Sequence, residues 1–156
     1  LSRNDIVGTS VDDFMATFNL NLFGGFQLMK LVIPHMQHQS WGRIINIASI
    51  WGREHGGNIS YMSSKAALIG ATKHAALSLA KDGILVNSIA PGLIKTDFAK
   101  ALWEDPVRVK RAEDKTPLRR IGDPVDIAGL AVFLSTKASA YVTGQVIVAD
   151  GGETIC

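Results

Sequence analysis

The sequence has 156 residues, 47% hydrophobic and 19% charged, with a formal net charge of +2, which is enough apolar content for one packed domain and too little charge to indicate a nucleic-acid or membrane surface. Its longest apolar runs cover only a few residues, far short of the roughly 18 that a membrane span requires. The single cysteine, Cys156, excludes an intramolecular disulfide framework, and because no signal peptide precedes the first predicted helix we expect a cytoplasmic protein.

A long helix is predicted first in chain order. Ser10 is expected to cap its N-terminus, with Asp12 and Asp13 in the first turn. Apolar residues then recur every three or four positions and predict one buried helix face: Phe14, Phe18, Leu22, Phe26, Met29 and Ile33. We expect Gly24-Gly25 to loosen or kink this helix.

Three short apolar runs predict the strands of a buried sheet. They are rich in β-branched residues and apolar on both faces, which is typical of parallel strands. The runs cover residues 43–48, 84–90 and 144–149. Because helical segments separate them, the sequence predicts an α/β fold with a parallel sheet, in a single domain over residues 1–156.

The segments between the predicted strands indicate further helices. A long helix is expected over residues 61–81 and ends at Gly83, and another over 125–135 starts after Asp123-Pro124. Residues 97–120 are charged and weakly periodic, which predicts one or two short helices over a flexible region.

Tyr61 and Lys65 are four residues apart on a predicted helix and therefore share one face. A neighbouring ammonium group favours the phenolate and lowers the pKa of a tyrosine, so the pair could act as a general acid and base. The spacing alone favours an ordinary surface pair.

Ser49 follows the first predicted strand, where open parallel sheets place their ligand sites. Pro91-Gly92 ends the second strand and should lie beside the same edge of the sheet. The Ser49 hydroxyl could bind a substrate carbonyl while Tyr61 gives or takes the proton. Ser49 could instead be an ordinary turn residue at the end of a strand.

Five ordered segments closely resemble the classical short-chain dehydrogenase/reductase family, from Val11 to Gly152. They are Asn21-Leu22-Phe23-Gly24, Ile45-Asn46-Ile47-Ala48-Ser49, Tyr61-Met62-Ser63-Ser64-Lys65, the run from Val86 to Gly92 with Thr96, and the run from Tyr141 to Gly152. The resemblance implies part of a Rossmann-like doubly wound parallel sheet, with three strands and flanking helices.

The resemblance implies a catalytic role for four of these residues. Tyr61 would donate or accept the proton, and Ser49 would polarise the carbonyl. Lys65 would bind the nicotinamide ribose and lower the pKa of Tyr61. Asn21 would hold a water in a proton relay behind Lys65, with Asn19 as its competitor for that role.

The implied cofactor is NAD or NADP, and the implied activity is the interconversion of an alcohol and a carbonyl by hydride transfer in the intact protein. Six residues would bind the nicotinamide end of the cofactor: Tyr61, Lys65, Pro91, Gly92, Ile94 and Thr96. The sequence does not distinguish NAD from NADP, and it does not identify the substrate, although Trp51, Leu102 and Trp103 could line its pocket.

The sequence departs from the family pattern at two points. Ser49 precedes Tyr61 by 12 residues, so the loop between them is shorter than in the common family pattern. We expect this to change the shape of the substrate site at its rim without removing the catalysis. The glycine-rich segment that would cradle the pyrophosphate does not occur. Whether the chain is part of a longer protein stays open, and we expect these 156 residues alone to be inactive. The alternative function is a non-catalytic fragment or assembly module.

The remaining residue clusters give predictions about metal binding, self-association and partners. His35 and His38 have no acidic companions, so no metal site is expected. The second long helix carries a face of mostly small residues, which would let another helix approach closely, and the resemblance implies that this face pairs with a second subunit in a homodimer or homotetramer. Its members are Ala67, Gly70, Ala71, His74 and Ser78. The family's other self-association surface resembles residues 125–149. A small-molecule substrate is expected, with no nucleic-acid or membrane partner.

Overall fold

A computed structural model describes residues 6–155, so Cys156 and the prediction drawn from it lie outside the described residues. The helices are α1 (Val11–Phe18), α2 (Gly24–His38), α3 (Ile59–Leu79), α4 (Lys100–Trp103), α5 (Pro106–Lys115) and α6 (Pro124–Ser135). The strands are β1 (Gly42–Ile47), β2 (Ile84–Pro91) and β3 (Val146–Ala149).

The three strands form one parallel sheet in the order β1-β2-β3. Ile44 of β1 lies opposite Val86 of β2, and Ile89 of β2 lies opposite Ile147 of β3. This arrangement confirms the α/β prediction and the three predicted strands. β3 starts two residues later than predicted because Gly144 adopts a left-handed conformation, with φ of 72°, and donates its N–H to the Val86 carbonyl.

The core lies where α2 and α3 pack against β1 and β2. Its buried members are Met29, Ile44, Ala76, Leu79, Ile84 and Val86. Apolar side chains of the helices and of the strands are thereby removed from water, and this burial supplies most of the driving force for folding. Among the described helices, none is long and apolar enough to cross a membrane.

The first predicted helix is divided into two. Ser10 caps α1 as predicted, because its side chain accepts a hydrogen bond from the Asp13 N–H. A π-helical turn over Asn19–Phe23 separates α1 from α2. The irregularity expected at Gly24-Gly25 lies just before the two glycines, and the Gly24 N–H closes the π turn by donating to the Asn19 carbonyl.

The predicted apolar face is only partly buried. Met29 alone among its six members is buried, and Phe26 is 50% exposed. Ile33 continues the buried face from Met29, whereas the Phe26 ring lies outside the core, with the Lys30 Nζ atom 6.0 Å from its centre.

The predicted helix ends are confirmed where the local chemistry is specific. Gly83 is left-handed, with φ of 73°, after the short turn that follows α3. A Cβ atom at this position would lie 2.3 Å from the Ser40 carbonyl oxygen, so glycine permits the close approach of these two turns. Asp123 and Asp126 form a capping box at the start of α6, and Pro124 occupies its first turn.

Candidate active site

The carboxyl ends of the three strands bring the predicted site residues to one edge of the sheet. Ser49 is buried and follows β1 after Ala48, whose N–H donates to the Ile89 carbonyl at 2.7 Å. At the end of β2, the Gly92 N–H donates to the Ala149 carbonyl of β3 at 3.1 Å. Ser49 and the Gly92 turn are thus both anchored to neighbouring strands at the edge where parallel sheets bind ligands.

Tyr61 and Lys65 occupy successive turns at the start of α3. The Asn58 side chain caps this helix by accepting a hydrogen bond from the Tyr61 N–H at 2.8 Å. The Lys65 Nζ atom lies 5.6 Å from the centre of the Tyr61 ring. The structure therefore places the two side chains on one face, as their spacing predicts.

The surroundings of Tyr61 raise its pKa, whereas the sequence predicts a lowered one. Burial of the half-buried side chain raises the pKa of Tyr61, and hydrogen bonding to the Ser49 side chain partly opposes this shift. Burial and Ser49 are the causes of the pKa shift of Tyr61, and the Lys65 ammonium group donates to the Ile47 carbonyl at 2.8 Å. Burial lowers the pKa of Lys65 itself.

Asn21 reaches the site from the π-helical turn between α1 and α2. Its Nδ2 donates to the Ser64 Oγ at 3.0 Å, and the Ser64 hydroxyl donates to the Tyr61 carbonyl at 2.8 Å. Asn21 is thus connected to the Tyr61 turn through Ser64. Asn19, its competitor, is exposed, and its carbonyl accepts the Gly24 N–H within the π turn.

Ser64 is a site residue that the sequence reasoning missed. It is fully buried and lies between the Asn21 amide and the backbone of α3. Its position three residues after Tyr61, on the same helix face, was the available signal.

The segment after β2 carries the other predicted cofactor-binding residues. Gly122 holds this segment from both sides, since its N–H donates to the Leu93 carbonyl and its carbonyl accepts the Lys95 N–H, both at 2.9 Å. Ile94 lies between these two hydrogen bonds. Thr96 caps the short turn that follows, where its side chain accepts the Ala99 N–H at 3.4 Å.

Two aromatic rings lie against Tyr61. The Trp51 ring meets the Tyr61 ring edge-on with 6.2 Å between centres, and Phe98 stacks on it at 6.1 Å. Trp103 donates its indole N–H to the Thr96 carbonyl at 2.8 Å. Of the predicted pocket residues, the structure therefore brings Trp51 to Tyr61, and it adds Phe98, which the sequence reasoning missed.

Comparison with known proteins gives consistent matches over most of the chain. A family model described as enoyl-(acyl carrier protein) reductase matches residues 2–154. The dehydrogenase/reductase SDR family member 4 of Oryctolagus cuniculus is 42% identical over 126 residues, which cover 80% of this chain and 48% of the relative. The 3-oxoacyl-(acyl-carrier-protein) reductase FabG of Thermotoga maritima is 40% identical over 151 residues, 96% of this chain and 61% of the relative.

A solved structure has the same fold. The gluconate 5-dehydrogenase of Burkholderia cenocepacia J2315, in complex with NADP and tartrate, superposes with a TM-score of 0.95 at 32% identity. The match covers 99% of this chain and 61% of that protein. The chain thus spans between about half and two thirds of the length of the proteins it matches.

Proposed function

This chain belongs to the classical short-chain dehydrogenase/reductase family, and on that premise we propose that the intact protein interconverts an alcohol and a carbonyl by hydride transfer with NAD(H) or NADP(H). The observation that carries the proposal is the grouping of Tyr61, Ser49 and Lys65 at the carboxyl edge of the sheet. The four proposed catalytic residues are Asn21, Ser49, Tyr61 and Lys65.

Tyr61 acts as the general acid in carbonyl reduction and as the general base in alcohol oxidation. Burial raises the pKa of Tyr61, which keeps its phenol protonated at neutral pH and ready to donate to the developing alkoxide. Ser49 donates a hydrogen bond to the carbonyl oxygen and so stabilises the same negative charge. In the oxidation, the alcohol proton moves to the Tyr61 oxygen.

The site chemistry fits the nicotinamide ribose of the cofactor. Lys65 has three N–H donors, and the hydrogen bond to the Ile47 carbonyl uses one of them. The remaining donors of Lys65, with the Tyr61 hydroxyl, would hold the ribose hydroxyls. When bound, the nicotinamide supplies or accepts the hydride.

The segment after β2 would contact the nicotinamide end of the cofactor through Pro91, Gly92, Ile94 and Thr96. Its support is the pair of backbone hydrogen bonds that anchor it on Gly122 and the one that anchors Gly92 on β3. A rigid segment at this edge can orient the reacting ring without a large entropic cost.

Steady-state kinetics of two variants test the proposal. Tyr61→Phe removes the acid and base and should lower kcat by about 10²-fold or more. Lys65→Ala should impair both kcat and cofactor binding, because its ammonium group serves both. Tyr141, the only other tyrosine, is fully exposed, and Tyr141→Phe is the matched control. A Tyr61→Phe protein with near-normal turnover would contradict the assignment.

The alternative function is a non-catalytic assembly module. One observation supports self-association whether or not the protein is an enzyme. Gly70 is exposed on α3, and a Cβ atom there would meet nothing within 4 Å. We propose that this face pairs with a second copy in a homodimer or homotetramer, and that the protein is cytoplasmic. Cofactor binding without turnover of any alcohol or carbonyl would favour the module.

A further inference from the structure

The loop between Ser49 and Tyr61 folds back on itself around the Trp51 side chain. It begins with the short turn over Ile50–Gly52 and ends where Asn58 caps α3. The Trp51 ring meets the Tyr61 ring edge to face, with planes at 86° and 6.2 Å between centres, which is a favourable geometry for an aromatic pair. A side chain from the turn that follows Ser49 therefore contacts the proposed acid directly.

Two glycines of the same loop hold the Trp51 indole. A Cβ atom at Gly56 would overlap the indole Nε1 and Cδ1 atoms, and one at Gly57 would lie 2.7 Å from the Cε3 atom. The backbone of both glycines thus lies on the indole at a distance that a larger residue would not permit. Interiors packed this closely leave a side chain little room to move. The indole is therefore fixed against both the two glycines and the Tyr61 ring.

The backbone of Trp51 binds the Ser49 hydroxyl. The Trp51 N–H donates to the Ser49 Oγ at 3.2 Å, and the Gly52 N–H donates to the Ser49 carbonyl at 3.0 Å. A serine hydroxyl has one hydrogen to donate and two lone pairs that accept. Because the Trp51 N–H uses a lone pair, the Ser49 hydrogen remains for the Tyr61 oxygen or for the oxygen of a substrate carbonyl.

The turn over Ile50–Gly52 lies directly on α3. A Cβ atom at Gly52 would lie 2.8 Å from the carbonyl carbon of Lys65. Tyr61 is part of α3, so the helix sets its position. The position of the Ser49 hydroxyl depends instead on how this turn sits on the helix, and the packed indole links the turn to the Tyr61 ring.

We propose, resting on the function proposed above, that Trp51 is a positioning residue for the reaction. Its indole, seated against Gly56 and Gly57, fixes the turn that follows β1. This turn keeps the Ser49 hydroxyl where it reaches the same substrate oxygen as the Tyr61 hydroxyl. Trp51 touches no reacting atom and acts through Ser49, so its removal should matter only while the Ser49 hydroxyl is present.

Titration of the Tyr61 phenol tests this coupling without a substrate. NMR of the intact protein, with tyrosine isotopically labelled at Cζ, follows the phenol, and Tyr61→Phe identifies its signal. Ser49→Ala should raise the pKa of Tyr61, because hydrogen bonding to Ser49 lowers it. In a Trp51→Ala background the same substitution should raise that pKa by at most about half as much. Any change in the water exposure of Tyr61 caused by Trp51→Ala is common to both members of that comparison. An equal rise in the two backgrounds would overturn the inference.

Kinetics test the consequence for the reaction. Trp51→Ala should lower kcat for the reduction of ethyl acetoacetate about tenfold in the presence of Ser49, and by less than about twofold in a Ser49→Ala background. Trp51→Phe keeps an aromatic ring beside Tyr61 and should restore most of kcat. Trp41→Ala removes an indole at the opposite end of β1 and is the matched control.

Gly56→Ala displaces the indole while the tryptophan itself is retained. Gly56 is not among the residues with positive φ, so its backbone accepts alanine and the main effect falls on Trp51. This variant should lower kcat about as much as Trp51→Ala and have little further effect in the Trp51→Ala background. Gly25→Ala is the matched control, because a Cβ atom at Gly25 meets nothing within 4 Å.

Failure of this inference is distinguishable from failure of the proposed function. Near-normal turnover in Tyr61→Phe would contradict the proposed function, and the titration would still decide whether Trp51 positions Ser49. Loss of turnover in Tyr61→Phe with wild-type kcat in both Trp51→Ala and Gly56→Ala would overturn the inference alone.

Discussion

The Asn21 amide nitrogen lies 3.0 Å from the Ser64 hydroxyl, and this hydroxyl donates to the Tyr61 carbonyl one turn earlier. The same arrangement occurs again farther along α3. There the Asn46 amide donates to Thr72 at 2.9 Å, and the Thr72 hydroxyl donates to the carbonyl of Leu68. Both hydroxyl-bearing residues are completely buried. One arrangement joins the π turn to the proposed site, and the other joins β1 to the middle of α3.

Removing the Ser64 hydroxyl should affect both stability and turnover. Ser64→Ala leaves the Asn21 amide without its partner and should lower the free energy of unfolding by about 1–3 kcal/mol. Because the Tyr61 turn also loses a constraint, kcat should fall by up to about 10²-fold. Ser64→Thr should restore much of both. Chemical denaturation and steady-state kinetics measure the two effects.

Thr72→Val is the matched control, since it removes an equivalent buried hydroxyl away from Tyr61. It should lower the free energy of unfolding to a similar degree and leave kcat near that of the wild type. Equal losses of turnover in Ser64→Ala and Thr72→Val would show that Ser64 contributes only to stability.

The raised pKa of Tyr61 determines the pH dependence of the two reaction directions. Carbonyl reduction needs the protonated phenol, so its kcat should be constant through neutral pH and fall only at alkaline pH. Alcohol oxidation needs the phenolate and should rise over the same alkaline range. Hydrogen bonding to Ser49 lowers the pKa of Tyr61, so Ser49→Ala should move both transitions to higher pH. A shift to lower pH in the kcat profiles would contradict this account.

The open face of α3 predicts self-association. Because nothing lies within 4 Å of a Cβ atom at Gly70, Gly70→Trp should leave the fold of one chain intact while blocking a second helix at this face. Light scattering at micromolar concentration should show a dimer or tetramer for the wild-type protein and a smaller species for Gly70→Trp. Gly70→Ala should retain the wild-type assembly, and a wild-type assembly in Gly70→Trp would exclude this face as the interface.

A polypeptide of these 156 residues alone should bind NADH and NADPH weakly and show no turnover. Tyr61 and Lys65 would contact only the ribose and nicotinamide. Contacts with the rest of a cofactor supply much of the binding energy that positions its reacting atom. Within residues 6–155, β1 also has an unpaired outer edge where Ile47 is 48% exposed, which favours aggregation. Calorimetric titration provides the measurement, and saturable micromolar binding together with turnover would contradict the prediction.

The sheet could be predicted from the sequence because its strands are continuous apolar runs with clear ends. Gly83 and Asp123-Pro124 likewise define local backbone geometry by their own chemistry, and the structure has both as predicted. The positions of Tyr61 and Lys65 on one face follow from helix spacing alone, which explains why this juxtaposition needed no tertiary information.

The features that the sequence did not reveal depend on contacts between distant segments. The stacking of Phe98 on Tyr61 joins the turn before α4 to the first turn of α3, far apart in the chain, and no local pattern marks such a pair. The sequence predicts a lowered pKa for Tyr61, whereas burial of its side chain raises that pKa and the hydrogen bond to Ser49 partly opposes the rise. Both are properties of the packed structure.

In the π turn between α1 and α2, the structure depends more on the number of residues than on which residues they are. Its Asn19–Gly24 hydrogen bond spans one more residue than an α-helical bond. Deleting one residue there would replace the five residues of the π turn by four α-helical ones, so α1 and α2 would keep nearly the same relative rotation. The widened turn that carries Asn21 toward Ser64 would be lost, while Met29 would stay in the core. Relatives that preserve the contact should therefore tolerate substitutions between Asn21 and Met29 but conserve the number of residues.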